Sequence, residues 1–315
     1  MGEPRNRCAC GVTQGVPDII ESVTSTQLRL EPSSFPVLIE HAARYSDLDP
    51  SRRIGRDALV RWFEDARVSV ELDALGADLS TRYRSRQFKL LLASVGVEVI
   101  APLKVAGRYR IGVGVAHIGT SSFTYTYAVF AGDECVATGR SVSVYVTDEG
   151  PTELPADVRA ALTALKVEGA EQERAERLPG RLVREAYPFR LDIRTRFGDI
   201  DTNRHVNNVA LAGWYFDALA ELHLDMLGYP TGGPLDDLSP SSLHVEYLAE
   251  VHYPGIYQLR VGVLELDASS VRYACGLFDG PRCIGLAEAV GSHADADGTT
   301  GDVAASLGAW RMRKV

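Results

Sequence analysis

Hydrophobic and polar positions follow the same order in the two halves of the chain. Each half begins with a short apolar run typical of a strand, passes through a polar loop into an amphipathic helix, and ends in four strand-like runs. In the first half the helical spacing covers residues 57–72. The four runs that follow are rich in Val, Tyr, Thr and Phe, and they cover residues 90–103, 109–117, 123–130 and 134–146.

Direct alignment of the two halves shows a duplication. RYSDLDPSRRIGRDALVRWFEDA, residues 44–66, aligns without a gap with RFGDIDTNRHVNNVALAGWYFDA, residues 196–218. Farther along, SSFTYTYAVFAGDECVATGRSV, residues 121–142, aligns with SSVRYACGLFDGPRCIGLAEAV, residues 269–290. The shift between the halves changes only from 152 to 148 residues. One unit of domain size is therefore predicted to occur twice.

The repeated unit predicts an α+β fold. Short connections between the strand-like runs favour antiparallel neighbours, and the apolar face of the helix must be buried against the sheet. We therefore expect an antiparallel sheet wrapped around one long helix, twice in tandem. The predicted parts are a polar extension, a first repeat, a helical linker, a second repeat and a tail expected to be mobile. Their ranges are 1–34, 35–150, 151–182, 183–293 and 294–315.

Composition and charge narrow the function. The chain has 315 residues and a net charge of −9, so the basic footprint of a nucleic-acid binder is absent. No apolar run approaches the ~18 residues that span a bilayer, and the N-terminus lacks a signal-peptide core. We therefore expect a cytoplasmic protein. Its five cysteines suit reduced thiols, and Cys8-x-Cys10 has no second pair at zinc spacing, so no metal or other cofactor is predicted.

The junction between the first strand and the helix of the second repeat is unusually polar. GDIDTNRHVNN, residues 198–208, holds two Asp, three Asn, one Arg and one His. The first repeat retains Asp47 and Asp49 there but has Ser51 and Arg53 where the second has Asn203 and His205. The fold therefore does not require this polarity, which indicates chemistry in the second repeat. Asp199 is expected to be a turn former, because its counterpart Asp47 is retained.

The junction resembles a known signature. The pattern D-x-N-x-H-V-N-N, starting at Asp201 and followed by G-W at residues 213–214, is similar to that of acyl-ACP thioesterases. The wider hydroxybenzoyl-CoA thioesterase-like superfamily also has an aspartate at the position of Asp201. The resemblance implies two tandem hotdog domains, with catalytic residues in the second. One departure is Leu211, where the signature usually has Tyr.

A second motif lies after the helix. EYLAE, residues 246–250, resembles the family's E-Y-x-x-E pattern and implies a catalytic role for Glu250. The next residue is Val251 and not the family's Cys, which argues against a cysteine nucleophile.

The expected site contains seven residues. The catalytic candidates are Asp201, Asn203, His205 and Glu250, and the substrate-binding candidates are Val206, Asn207 and Asn208. Thioester hydrolysis needs a proton acceptor and donors for the developing oxyanion. Backbone amides of residues 206–208, at the start of the helix, are expected to face the thioester carbonyl. Asp201, His205 and Glu250 all remain candidates for the base, and Asn207 and Asn208 are also expected to cap the helix.

The leading interpretation is a thioesterase that releases an acyl group from CoA or from acyl carrier protein, as in fatty acid metabolism. The first repeat would shape the acyl pocket. A hydratase or dehydratase of acyl thioesters, or a non-catalytic acyl-thioester binder, are the alternatives. Candidate partners of the CoA phosphates are Arg190, Arg194, Arg196 and Arg204. No nucleic-acid partner and no membrane insertion are expected, and the chain could act as a monomer with an internal pseudo-dimer or as a homodimer.

Overall fold

The fold is that of a computed structural model. It describes residues 31–49, 52–74, 89–104, 107–147, 149–170, 179–202, 204–227, 240–293 and 300–314. Cys8, Cys10 and Asn203 lie outside these residues.

Strands dominate the described part of the chain. They are β1 (Val37–Ala42), β2 (Lys89–Val99), β3 (Arg108–Ile118), β4 (Ser122–Ala131), β5 (Glu134–Thr147), β6 (Gly150–Pro151), β7 (Phe189–Arg194), β8 (Ser242–Tyr247), β9 (Ile256–Leu266), β10 (Ser270–Asp279) and β11 (Arg282–Ser292). The helices are α1 (Arg56–Ala74), α2 (Ala156–Ala164), α3 (Asn208–Leu227) and α4 (Thr300–Gly308). Each repeat contains one strand, one long helix and four further strands, as the sequence predicts.

All these strands belong to one antiparallel sheet. Apart from β6, which pairs with β5, their order is β1-β3-β4-β5-β2-β8-β11-β10-β9-β7. This order reads the same from both ends when each strand is replaced by its counterpart in the other repeat. The two halves meet where β2 pairs with β8, with Val95 opposite Val245 and Val97 opposite Leu243. The predicted α+β architecture of two sheet-and-helix units is therefore confirmed.

The long helices bury one apolar face each. On α1 the buried face carries Leu59, Trp62, Phe63, Ala66 and Val70, which occupy positions i, i+3, i+4, i+7 and i+11 of one helical face. On α3 the matching positions are also buried, and Trp214 is 6% exposed. The two helices contact the sheet and each other. Their N-termini, and hence both polar junctions, are fixed by this packing.

The segments after each repeat are packed as well. In the predicted linker, α2 buries Val158 and Leu162, and the residues that follow pair with Val115 of β3. The C-terminal segment does the same, since α4 buries Leu307 and the residues after it pair with Val263 of β9. The prediction of a mobile tail is therefore wrong for residues 300–312. The helix is held in place because Leu307 is buried where α4 contacts β9 and α3.

Two glycines allow the segments after the repeats to pack closely against the sheet. A Cβ atom on Gly114 would lie 2.2 Å from the Val167 side chain, and one on Gly262 would lie 2.6 Å from the Met312 sulfur. Gly114 and Gly262 are aligned positions of the two repeats. In both repeats, therefore, a glycine allows the segment after the repeat to pack closely against the sheet.

A buried histidine lies between helix and sheet in the second repeat. His223 of α3 is 2% exposed, and its Nε2 lies 2.9 Å from the hydroxyl of Tyr273 on β10. Burial lowers the pKa of His223 from 6.5 to about 4. The imidazole is therefore neutral in the folded protein at neutral pH.

This shift predicts a pH dependence of stability. Between pH 6.5 and about 4 the unfolded chain binds a proton at His223 and the folded chain does not, so stability falls as the pH is lowered through this range. The effect is about 3 kcal/mol when complete. We expect His223→Gln to flatten the fall in the free energy of unfolding, measured by urea denaturation at several pH values. An unchanged pH profile would contradict the assignment.

Candidate active site

The junction loop has the same backbone in both repeats. The Asp201 N–H donates to the His205 carbonyl at 3.0 Å, and the Arg204 N–H donates to the Asp201 carbonyl at 3.1 Å. Arg204 adopts a left-handed φ of 69°, and its counterpart Arg52 has a φ of 63°. The shared backbone means that the repeats differ at this place in side-chain chemistry alone.

Asp201 and His205 lie side by side in the loop. The distance from Asp201 Oδ2 to His205 Nδ1 is 3.5 Å, and the side chains are 17% and 16% exposed. A carboxylate beside one imidazole nitrogen can orient the ring and leave the other nitrogen for proton transfer. The structure thus brings together two of the four predicted catalytic residues.

Asn207 caps the N-terminus of α3, as predicted. Its Oδ1 accepts a hydrogen bond from the Val209 N–H at 2.7 Å, which is the bond of an N-cap residue. Asn208 is the first residue of α3. Among the described residues its N–H has no hydrogen-bond partner, so it can donate to an oxyanion at the positive end of the helix dipole.

The other two predicted amide donors are already engaged. The Val206 N–H donates to the Val251 carbonyl at 2.8 Å, and the Asn207 N–H donates to the Asp199 carbonyl at 2.7 Å. The prediction that these amides face a thioester carbonyl is therefore wrong. The Val206 amide holds the loop to the segment after β8, the Asn207 amide closes the loop onto the turn after β7, and Asn208 is the remaining donor of the three.

Asp199 is a turn former, as predicted. Its Oδ2 accepts the Arg196 N–H at 3.0 Å. Asp47 accepts the Arg44 N–H at 2.8 Å in the same way. The pair of contacts explains why both repeats retain this aspartate.

Glu250 lies close to the junction in the chain but faces outward. It immediately precedes Val251, whose carbonyl holds Val206. Its side chain is 51% exposed, and its carboxylate lies 3.8 Å from His252 Nε2. The structure therefore places Glu250 beside the loop without an ion pair to His205.

A contact between the repeats supports the junction. The Asn207 side-chain amide donates to Glu64 Oε1 of α1 at 3.0 Å. Glu64 also lies 3.9 Å from Arg67 on the same helix. Sequence reasoning missed Glu64, although the alignment holds a signal for it. The matching residue of α3 is Phe216, so the first repeat has a charged side chain where the second has an aromatic one.

The matching place in the first repeat carries different chemistry. Arg56, at the position of Asn208, lies 3.5 Å from Asp49 and donates from Nε to the Pro240 carbonyl at 2.8 Å. Arg53 and Pro102 line the adjacent pocket at the positions of His205 and Glu250. A cation therefore neutralises the retained aspartate where the second repeat has a carboxylate and an imidazole.

The described residues offer few other reactive groups. Among them, no group of three or more His, Cys, Asp or Glu side chains is arranged to hold a metal ion. The cysteines found there, Cys135, Cys275 and Cys283, form no disulfide bond within the described residues. Burial raises the pKa of Cys135 to about 11 and that of Cys275 to about 12, so both are protonated at neutral pH.

Both halves of the chain match thioesterase families. Residues 43–162 match the thioesterase-like superfamily. Residues 184–261 match the Acyl-ACP thioesterase C-terminal domain, and this range contains all seven residues of the site expected from the sequence. No curated protein matches the chain.

Solved structures establish the architecture. The 12:0-ACP thioesterase from Umbellularia californica superposes with a TM-score of 0.66 at 16% identity, over 81% of this chain and 97% of that one. A protein described as an oleoyl thioesterase from Lactobacillus plantarum gives 0.64 at 18% identity, over 80% and 94%. An acyl-ACP thioesterase from Bacteroides thetaiotaomicron gives 0.63 at 13% identity, over 81% and 96%.

The fold is that of a tandem hotdog protein, and each half of the chain matches a thioesterase family model. Within that class the chain resembles the acyl-ACP thioesterases, whose C-terminal domain its second half matches. These similarities support a thioester hydrolase. Separately, no helix in the described ranges is long and apolar enough to cross a membrane.

The contact between Glu64 and Asn207 can be tested by a double-mutant cycle. We expect Glu64→Ala and Asn207→Ala to be coupled by about 1–2 kcal/mol in the free energy of unfolding, because a hydrogen bond to a charged group is lost in either variant. Glu64→Gln retains an acceptor and serves as the control. Strictly additive effects of the two alanine substitutions would contradict the contact.

Proposed function

We propose that the chain hydrolyses acyl thioesters at the junction loop of the second repeat. The observation that carries this proposal is the pairing of Asp201 with His205 beside the first amide of α3. In the first repeat the same backbone holds Asp49 against Arg56. A guanidinium does not release its proton at working pH, so that pair cannot act as a base.

The reaction requires one water molecule. The water oxygen attacks the thioester carbonyl carbon, and the water proton passes to His205, which Asp201 orients. The Asn208 N–H donates to the carbonyl oxygen as negative charge develops on it. The bond from carbon to sulfur then breaks, His205 returns the proton to the thiolate, and a carboxylic acid and a thiol leave.

Glu250 and Asn203 complete the proposed site. Glu250 lies next to the segment that holds Val206, and a rotation of its exposed side chain away from His252 would bring its carboxylate toward the loop. There it would hold the attacking water. Asn203, which lies between Asp201 and His205 in the sequence, would bind the carbonyl or the water.

Purified protein should release free thiol from acyl-CoA or acyl-carrier-protein thioesters. We expect His205→Ala, Asp201→Asn and Glu250→Gln to lose ~10²-fold or more in kcat, which is the scale of general acid–base groups. The measurement is thiol release from acyl groups of increasing length.

First-repeat counterparts provide the controls. Arg53→Ala matches His205→Ala, and Asp49→Asn matches Asp201→Asn, so each pair perturbs the same backbone turn. The first-repeat variants should retain kcat. Equal losses in both repeats would contradict a site in the second. Thermal stabilisation by acyl thioesters without turnover would favour the non-catalytic binder.

We further propose that acyl carrier protein presents the substrate. Support comes from the match of residues 184–261 to the Acyl-ACP thioesterase C-terminal domain. It also comes from the surface around the loop, where Arg196, Arg204 and Phe197 are exposed. Positive and apolar groups together suit an acidic protein partner. The positive groups are notable because the chain as a whole is acidic.

A substitution at Arg204 tests whether acyl carrier protein or CoA presents the acyl group. We expect Arg204→Asn to raise KM for a carrier-protein thioester about threefold or more at low salt, since a surface charge steers encounter, while kcat stays unchanged. Asparagine tolerates the left-handed φ. Arg52→Asn, at the matching φ in the first repeat, is the control. An equal effect of Arg204→Asn on acyl-CoA would argue against recognition of the carrier protein.

A further inference from the structure

The interior of the first repeat holds six polar side chains between α1 and the sheet. This inner polar cluster consists of Arg67, Glu71, Tyr125, Tyr127, Ser141 and Ser143. Arg67 Nη1 lies 3.1 Å from Glu71 Oε1, and the hydroxyls of Tyr127 and Ser141 lie 2.7 Å apart. Arg67 is the most exposed member, at 12%.

The fold does not require this polarity. The aligned positions of the second repeat are Leu219, His223, Tyr273, Cys275, Ala289 and Gly291. An ion pair and two serines of the first repeat thus correspond to leucine, histidine, alanine and glycine in the second. The second repeat builds the same helix-on-sheet packing with a more apolar interior.

Stability does not explain the cluster either. A buried ion pair loses hydration that its mutual attraction barely restores, and apolar residues of similar volume serve a core as well or better. Burial raises the pKa of Glu71 even beside Arg67, which reflects this loss. Ser143 Oγ is buried with no hydrogen-bond partner among the described residues. A buried hydroxyl without a partner is costly unless something else meets it.

The inner polar cluster is connected to the candidate active site through Glu64, which lies 3.9 Å from Arg67. Glu64, three residues before Arg67 on α1, accepts the hydrogen bond from Asn207. The Tyr247 hydroxyl donates to the Asn208 carbonyl at 3.0 Å, and its pKa is raised by burial and by the charge of Glu64. From Glu64 to Glu71 the helix rises about 10 Å. Arg67 therefore lies about one helical turn, and Glu71 about two turns, along α1 from the contact with the junction.

We propose that the inner polar cluster recognises an oxygen substituent on the acyl chain of the substrate. This inference rests on the proposed hydrolysis. The acyl group extends from the start of α3 along α1, and its distal part carries a hydroxyl or keto oxygen that Ser143 and Arg67 can meet. Because Glu71 already neutralises Arg67, the substituent is uncharged. The substrate class is thus a medium-chain oxygenated acyl thioester rather than a plain saturated one.

The test compares thioesters that differ only at the distal carbon. Octanoyl, 8-hydroxyoctanoyl and 7-carboxyheptanoyl groups, which have the same number of carbons, would be loaded on the same carrier, with the hexanoyl and decanoyl series alongside. We expect kcat/KM to favour the hydroxylated group over the plain one by about tenfold or more, because a site built for a hydrogen bond rejects the analogue that lacks it. The carboxylated group should be the poorest.

A double variant assigns the preference to the cluster. Arg67→Leu with Glu71→Met replaces the ion pair with apolar side chains of similar size, which keeps the core filled. We expect it to melt no lower than the wild type and to prefer the plain acyl group. Arg272→Leu with Glu265→Met removes an exposed ion pair 3.3 Å long and serves as the matched control, with no change in preference.

The outcomes separate the two proposals. Hydrolysis of plain octanoyl thioesters at least as fast as the hydroxylated ones would overturn this inference and leave the hydrolase intact. Retention of the wild-type preference by the double variant would overturn it in the same way. Failure of the wild type to hydrolyse any member of the series would overturn the proposed function, and this inference with it.

Discussion

The pairing of β2 with β8 is the contact on which the rest of the molecule depends. It joins two five-stranded halves into one ladder and sets α1 beside α3. Only because the helices are neighbours can Glu64 of the first repeat reach Asn207 of the second. The candidate active site is therefore built by both repeats, although its reactive side chains come from one. Loss of register along this ladder would displace the helices and the loop together.

The two repeats place their polar side chains in different parts of the same fold. The second repeat has a polar junction, with Asp201 and His205 paired, and a mostly apolar interior. The first repeat has its junction aspartate neutralised by Arg56 and places an ion pair inside. Under the proposed function, the two departures from the common pattern would separate two tasks, with bond cleavage in the second repeat and recognition of the acyl group in the first.

Much of this could be predicted from the sequence because the duplication compares each residue with a counterpart. The strands, the long helices and the polar junction all follow from periodicity and alignment. Engagement of the Val206 and Asn207 amides could not be predicted, since their acceptors are backbone carbonyls without a sequence signature. The bond between Glu64 and Asn207 joins residues 143 positions apart. The helix near the C-terminus could not be predicted, because it packs on β9 and α3, which come together only when the sheet has formed.

Fusion of the repeats has a consequence for symmetry. In a dimer of identical subunits every substitution appears twice, and a contact across the two-fold axis must be made on both sides or on neither. Here Asn207 meets Glu64, while the counterpart positions hold Gly55 and Phe216, which make no such bond. A single chain can thus break its own two-fold symmetry one residue at a time. One of the two equivalent contacts can then hold a residue of the candidate site in place, while the residues at the other are free to change.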